Sequence, residues 1–479
     1  MRQAVITGCI VLVAVLGGAI ALERYKKGLT TDTPDDSRDV AIAPDALETE
    51  ALDSESLHSD TVASTDESAS GCDIEAASRQ SRTPKPLSGV VTKGLAYLVG
   101  QQHEDGGWGQ GGGWRLADQG GGRVEGPEVA DPSDVGNTCI ATLALLRAGH
   151  TPKNGKHAEN VARAVAFICK NIEKADGDSL YVTQVRNTQL QSKIGTYIDT
   201  FLASLVLAEL KGSMPDPKSE RRLVAVLDKS IHKIERNQKG DGTWASEGWA
   251  TVISQGLGTK ALNRAKQAGV PVSDETLAKA EEVAKNNFGA SPVGAAGSAA
   301  RGGAGMLGGG MSPGDAGVPL YRASQGVGGL QDSVNTNRIQ KGEVEKVAED
   351  SSQPEPKRAE ARRQLKRFGE AEEALSKQTA ELAGQLGDAN FLAGFGSNGG
   401  EEFLSYMSIS ETLLAKGGEA WEKWDKKMAE GLTHAQDKDG GWSGQHCITG
   451  RTFCTAAALL VMMADRAPVP VATNIRGAK

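Results

Sequence analysis

The sequence predicts an all-α protein built from stacked helical hairpins. A short segment of the form Gln-x-x-Asp-Gly-x-Trp occurs three times, over residues 102–108, 238–244 and 436–442. Apolar residues recur at helical spacing before and after each copy, which indicates that each copy joins two helices. Repetition of such a unit is typical of folds in which neighbouring hairpins stack and bury a shared core.

The recurring segment has the composition of a tight structural turn. An Asp carboxylate accepts hydrogen bonds from nearby backbone amides, and the Gly that follows adopts positive φ without steric cost. A Trp at the end of the turn can then cover the joint between the two helices. We therefore predict structural roles for Gln102, Asp105, Trp108, Gln238, Asp241, Trp244, Gln436, Asp439 and Trp442.

Helical patterns fill two stretches of the chain. In the first, Ser133 or Asp134 is placed to cap a helix over residues 137–148. Further helices are predicted over residues 158–173, 195–211, 218–237, 249–268 and 274–288. A weaker turn over residues 176–180 has Leu in place of Trp, and the second stretch ends with a helix that reaches about Ala464. The patterns together predict about ten helices, or about five hairpins.

The region between these stretches has a different composition. Residues 289–330 are rich in Gly, Ala and Ser, which predicts a flexible excursion. Residues 356–386 are charged and helix-prone, with apolar residues near heptad spacing. This helix is either an arm that lies on the helical domain or a coil that binds a partner or dimerises. We favour the arm, because fewer than about four heptads rarely form a stable coiled coil.

The N-terminal region predicts a membrane anchor. Residues 4–22 are almost continuously apolar and lie between Arg2 and a basic cluster that begins at Arg24. Basic residues directly after the apolar run favour an uncleaved membrane span over a secretory signal peptide. We therefore predict a membrane-anchored protein with a single N-terminal span, and the flanking charges leave its orientation undecided. The acidic, aromatic-poor sequence that follows predicts a disordered tether.

These patterns divide the chain into six segments around one globular domain. They are an N-terminal membrane or signal segment (1–27), a disordered acidic linker (28–83), a first helical part (84–290), a Gly-rich insertion with a charged helical arm (291–392), a last helical part (393–466) and a C-terminal tail (467–479).

Composition narrows the range of partners. The formal net charge is −8, and no Lys/Arg-dense patch with interleaved aromatic residues occurs, so nucleic acid is not predicted as a partner. The six cysteines form no Cys-x-x-Cys pair, which predicts free or buried thiols. Nothing in the sequence indicates an oligomeric state.

The Asp-Gly-x-Trp turns resemble the repeats shared by squalene cyclases and the β subunits of protein prenyltransferases. The resemblance covers roughly residues 88–290 and 393–466. It implies an α/α toroid, in which concentric layers of helices surround one axis. It implies the chemistry of those enzymes only where their reactive residues are present.

Most of those reactive residues are missing from this chain. Squalene cyclases use an Asp-x-Asp-Asp acid and aromatic faces that stabilise carbocations, whereas this chain lacks that motif and is 4% aromatic. Protein prenyltransferases hold zinc with an Asp-x-Cys pair and a later His, whereas this chain has Thr452 before Cys454 and Asn137 in place of the His. We therefore predict no bound metal and no cofactor, and the catalytic residues are unknown.

A few residues of the last repeat are candidates for a different site. They are His446, Cys447, Arg451 and Cys454. The spacing of the His and the two Cys residues matches no common metal motif, so turn and core roles are the simpler interpretation. Arg451 lies near a helix start, where it could bind an anion. The simpler interpretation is a salt bridge to an acidic residue of a neighbouring repeat. Glu401 and Glu402 are interpreted as solvated charges that the dipole favours at a helix start.

Two functions from different classes fit these features. The first is a membrane-tethered α/α-toroid protein that binds an apolar small molecule or a protein segment without the usual catalysis. The second is a terpene cyclase or prenyltransferase-like enzyme with a non-standard active site. Aromatic residues around a buried carboxylate at the centre would favour the enzyme, whereas a centre filled by small residues would favour the binding protein. We favour the binding protein.

Overall fold

The protein is predominantly helical, and its all-α class is confirmed. A computed structural model describes residues 83–117, 123–289 and 314–468 of the chain. These residues form fourteen α-helices and one antiparallel pair of three-residue strands, β1 (Trp114–Leu116) and β2 (Arg123–Glu125). The helices are α1 (Gly89–Gly100), α2 (Val135–Arg147), α3 (Ala158–Lys174), α4 (Gln189–Lys193), α5 (Ile198–Leu210), α6 (Pro217–Arg236), α7 (Thr251–Gln267), α8 (Asp274–Gly289), α9 (Pro319–Glu349), α10 (Glu355–Gln385), α11 (Ala389–Leu392), α12 (Gly400–Lys416), α13 (Gly418–His434) and α14 (Arg451–Met462).

Six helices are buried on nearly all sides, and we call them the buried helices. They are α2, α5, α7, α9, α12 and α14. In α9 the buried part is residues 320–337. These helices combine apolar residues with Ala, Gly, Ser and Thr, so they have no polar face to turn toward water. The helices α1, α3, α6, α8, α10 and α13 instead bury one face and expose the other.

The buried helices contact one another in a cyclic order. The contacts run from α2 to α5, α7, α9, α12 and α14, and α14 packs against α2 again. Each one-faced helix lies against at least one buried helix, as α3 does against α2 and α6 against α5. The chain therefore forms six helix pairs among the described residues, one more than the five hairpins that the sequence predicts.

The additional pair involves the region predicted to be a Gly-rich excursion. Residues 319–330 belong to the buried helix α9, and the charged helix α10 packs along α9 as an arm on the domain. The glycines have a packing role, because a Cβ added at Gly328 would lie 3.1 Å from the Cβ of Ser408 in α12. The Gly-rich composition therefore marks a close helix–helix approach within residues 319–330.

The three recurring turns have the same internal hydrogen bonds. In each turn the Trp Nε1 donates to a helix carbonyl ten residues earlier. The pairs are Trp108 to Leu98 at 2.7 Å, Trp244 to Ile234 at 2.8 Å and Trp442 to Leu432 at 2.8 Å. The Asp carboxylates accept backbone amides two residues later at 3.0–3.2 Å. The Gly after each Asp has φ between 83° and 95°, as predicted.

The Gln of each turn connects its hairpin to another helix. Its Nε2 donates to the carbonyl of the turn and also to a carbonyl of a one-faced helix. The helix acceptors are Asn160 for Gln102 (2.9 Å), Thr276 for Gln238 (3.1 Å) and Val90 for Gln436 (2.9 Å). Since Val90 lies in α1, the last turn is tied directly to the first helix.

The predicted transmembrane helix is not found. Within residues 83–117, 123–289 and 314–468, no helix is both long enough and apolar enough to cross a bilayer. The longest helices, α9 and α10, have 31 residues each but carry charged side chains along their length. The prediction of a membrane-anchored protein is therefore wrong on this structure. The apolar segment on which it rested, residues 4–22, lies outside the described residues, as do residues 28–82, 290–313 and 469–479.

Candidate functional site

A buried acidic pair lies at the start of α12. Glu401 and Glu402 occupy the first turn of this helix, and both are 0% exposed. Their interpretation as solvated helix-start charges is therefore wrong. The burial comes from tertiary packing, because the loop before α14 covers the start of α12. The Ile448 carbonyl of this loop accepts a hydrogen bond from the Gly400 amide at 3.1 Å.

Glu402 is hydrogen-bonded through both carboxylate oxygens. Oε1 accepts the Tyr321 hydroxyl at 2.5 Å and the Phe395 amide at 3.1 Å. Oε2 accepts the Gly399 amide at 2.9 Å and lies 3.2 Å from His446 Nε2. These contacts hold the carboxylate in one orientation between α9, α12 and the loop before α14.

Glu401 has fewer hydrogen bonds than Glu402. Its Oε2 accepts the Ile448 amide at 3.3 Å, whereas its Oε1 is buried and has no hydrogen-bond partner. Burial, followed by the nearby charge of Glu402, raises the pKa of Glu401 to about 8. The protonated carboxylic acid is therefore the favoured form of this group at neutral pH.

His446 supplies the cation of the cluster. Its Nε2 lies 2.7 Å from the Ser397 carbonyl oxygen, so this nitrogen carries a proton that it donates. Burial alone would lower the pKa of His446, but hydrogen bonds with Cys447 and Glu402 outweigh it and raise the pKa to about 11. Ligand atoms of Glu401, Glu402 and His446 all lie within 4.8 Å of one another.

An aromatic surface lies beside this acidic cluster. Phe395 is 54% exposed, and no other large hydrophobic side chain is exposed among the described residues. Its ring packs edge-on against Trp249 at 4.9 Å between centroids and lies 5.2 Å from the His446 ring. Each of these three residues belongs to a loop that precedes a buried helix. The exposed ring of Phe395 therefore lies directly beside the buried acidic cluster.

The other sequence candidates have separate roles. Cys454 is fully buried, and its Sγ donates to the Ile448 carbonyl at 3.3 Å. Cys447 is partly exposed and adopts φ of 46°. Arg451 pairs with Asp439 of its own repeat at 2.6 Å and stacks over Tyr97 at 4.7 Å from the ring centroid. Of the four candidates, His446 contacts the acidic pair directly, and Cys447 is hydrogen-bonded to His446.

Sequence reasoning missed the acids and the tyrosine of this cluster. The available signal was a pair of adjacent glutamates directly before the apolar and small residues 403–413, which leave that helix without a polar face. Tyr321 gave no such signal, because it lies in the segment predicted to be a flexible excursion. At the positions expected from prenyltransferases, Asn137 Nδ2 donates to Asp134 at 2.8 Å, and the Thr452 amide donates to the Gln110 carbonyl at 2.9 Å.

A second group of charges, which we call the ion cluster, lies between the buried helices. Its members are Arg147 of α2, Glu209 of α5, Lys260 and Arg264 of α7, Asp332 of α9 and Glu411 of α12. Lys260 Nζ lies 2.6 Å from both Asp332 and Glu411, and Arg147 lies 2.6 Å from Glu209 and 3.3 Å from Glu411. The exposed fraction of every member's side chain is at most 7%. Three cations thus balance three carboxylates.

The ion cluster is closely packed. The space between Lys260, Glu411, Gly328 and Ser408 is too small to hold a water molecule. Burial would raise the pKa of Glu411, but the charges of Lys260, Arg264 and Arg147 outweigh it and lower the pKa to about 2. The carboxylate is therefore ionised at neutral pH and held by its cationic neighbours.

A buried Asp at the start of α2 predicts a pH-dependent stability. Asp134 caps α2 through the Asn137 amide at 2.7 Å, and burial followed by the charge of Asp199 raises its pKa from 3.8 to about 7. The pKa of Asp134 is higher in the folded state than in the unfolded state, so protonation of Asp134 favours folding. This stabilisation is complete below the unfolded pKa and is lost as pH rises through 7. Asp134→Asn keeps the cap and is expected to be more stable than wild type at pH 8 by roughly 4 kcal/mol.

Denaturant melts of both full-length proteins over the range from pH 4 to pH 8 would measure this effect. We expect the two stability curves to converge toward pH 4, where Asp134 is protonated. A constant difference between them at every pH would contradict the prediction.

Comparison with known proteins adds no family assignment. No protein-family model matches this chain, and no curated protein sequence matches it.

Proposed function

We propose that the six buried helices form the inner layer of an α/α toroid, and that this toroid binds an apolar segment of a partner protein without isoprenoid chemistry. The cyclic order of contacts among the buried helices supports the toroid. The one-faced helices then form its outer layer. The hydrogen bond from Gln436 to Val90 supports closure between the last hairpin and the first.

The ion cluster is the observation that carries the proposal. Its members come from five of the six buried helices, so in a toroid they meet across the middle of the ring. A cyclase needs an enclosed apolar cavity with aromatic faces directed at a carbocation. Beside the ion cluster, Gly328 and Ser408 fill the space that such a cavity would need. A centre of small and charged residues supports a binding protein.

The aromatic surface supplies the proposed binding contacts. Phe395 exposes half of its side chain between Trp249 and His446, in loops that precede three different inner helices. A small apolar ligand gains affinity when a concave pocket encloses most of its surface. An exposed aromatic residue flanked by other rings is instead typical of the anchor of a protein interface. We therefore favour a protein segment over a small molecule.

Selection of phage-displayed random peptides on the immobilised full-length chain would test this function. We expect wild type to enrich peptides that contain aromatic or aliphatic residues. The affinity of a selected peptide should fall at least about tenfold in Phe395→Ala, because truncation removes the central anchor. The matched control is Leu414→Ala, which truncates a half-buried apolar residue near the opposite end of α12.

Three outcomes would count against the proposal. Equal peptide affinity in wild type and Phe395→Ala would remove this surface as the binding site. Retention of squalene by wild type without enrichment of any peptide would favour a small ligand. Conversion of squalene or farnesyl diphosphate to product by the full-length chain would favour the enzyme.

A further inference from the structure

We propose that Glu401, Glu402 and His446 bind one divalent transition-metal ion, of which Mn²⁺ and Zn²⁺ are the best matched. Ligand atoms from the three residues lie within 4.8 Å of one another. Metal–ligand bonds of about 2.0–2.2 Å place ligand atoms about 3–3.5 Å apart. Small side-chain rotations would therefore bring all three groups onto a shared ion.

The buried and unpartnered oxygen of Glu401 points to a ligand independently of the acidic cluster. Glu401 is 0% exposed, and its Oε1 has no hydrogen-bond partner. Buried carboxylate oxygens are normally satisfied, because an unpaired one loses its hydration without compensation. A metal ion in the cluster would supply the missing partner, and its binding would displace the protons that Glu401 and His446 Nδ1 carry at neutral pH.

Neighbouring groups are placed to orient the ligands. The Tyr321 hydroxyl and the Phe395 amide hold Glu402 Oε1, which leaves Oε2 to exchange its contact with His446 for a metal bond. The Ser397 carbonyl accepts from His446 Nε2 at 2.7 Å, which fixes the ring, and an ion bound through the other ring nitrogen, Nδ1, would leave this hydrogen bond intact. The His446 side chain is 13% exposed, which provides a route for ion entry.

The donor set indicates the class of metal. Two carboxylates with one imidazole suit Mn²⁺ or Zn²⁺, whereas Mg²⁺ and Ca²⁺ prefer ligand sets made of oxygen alone. The site uses neither Asn137 nor Thr452, which stand where the resemblance to prenyltransferases would place zinc ligands. The buried Cys454 thiol is not a ligand of the proposed site and keeps its hydrogen bond to the Ile448 carbonyl.

Titration calorimetry of the full-length chain, stripped with a chelator, would test the proposal with MnCl₂ or ZnCl₂ as the probe. We expect one ion per chain in wild type. Glu401→Gln keeps the side-chain shape but removes a ligand charge, so its affinity should fall at least about 100-fold, more than loss of an outer contact costs. The matched control is Glu281→Gln, at a buried glutamate that is 4% exposed and bonded to Asn337.

A spectroscopic measurement keeps the test decisive if a variant is unstable. The pulsed electron paramagnetic resonance spectrum of Mn²⁺-loaded wild type should show coupling to an imidazole nitrogen, and His446→Gln should lose it. Failure of wild type to bind either ion, or binding without a nitrogen signal, would overturn the proposal. Unchanged affinity in Glu401→Gln would do the same.

Discussion

Trp442→Ala is expected to lower the free energy of unfolding by about 3–5 kcal/mol, the usual cost of truncating a buried aromatic residue. The indole is 0% exposed, and its Nε1 donates to the Leu432 carbonyl at the end of α13. It also packs against α1, since a Cβ at Gly94 would lie 2.8 Å from the ring. Truncation would therefore leave a cavity at the joint of α1, α13 and α14 and an unpaired carbonyl.

Guanidinium denaturation of the full-length chain would measure the effect as a lower unfolding midpoint. The control is Trp249→Ala, which truncates a half-buried Trp outside the recurring turns and should shift the midpoint by less than half as much. A wild-type midpoint in Trp442→Ala would show that the recurring turns do not stabilise the domain.

Glu411→Gln is expected to destabilise the fold by about 3–5 kcal/mol, because it leaves buried cations without a counter-charge. Glu411 lies 2.6 Å from Lys260, 3.3 Å from Arg147 and 3.4 Å from Arg264. Its pKa is lowered to about 2, so its ionised form stabilises the fold above the ordinary value of 4.5 and loses this effect as pH falls toward 2. The difference between variant and wild type should therefore shrink in acid.

An exposed ion pair provides the control for this prediction. Glu173 pairs with Arg222 at 2.7 Å, but both side chains are 44% exposed. Because solvent screens such a pair, Glu173→Ala should cost less than about 1 kcal/mol. Urea melts of the two variants at neutral pH would compare them. Equal, small losses of stability would mean that the ion cluster is solvated and does not fill the space between the buried helices.

Most local features of the fold could be predicted from the sequence. The helices over residues 158–174, 217–236 and 251–267 lie within two residues of their predicted bounds. The recurring turns were recognisable because their hydrogen bonds join residues close in sequence, as in the bond from Trp108 Nε1 to the Leu98 carbonyl. Helical periodicity and turn chemistry act over such short distances, so the residues alone specify them.

The candidate site was decided by tertiary structure. The distant partners of Glu402 are Tyr321, 81 residues earlier, and His446, 44 residues later, and no local pattern links them. The sequence predicts solvated acids at a helix start, since the dipole favours them there whether or not water reaches them. Likewise, glycine composition predicts flexibility around Gly328, whereas the approach of Ser408 from α12 makes that segment a buried helix. Local chemistry therefore determined the helices and turns, while burial and long-range contacts determined which charges meet, because both depend on residues distant in the chain.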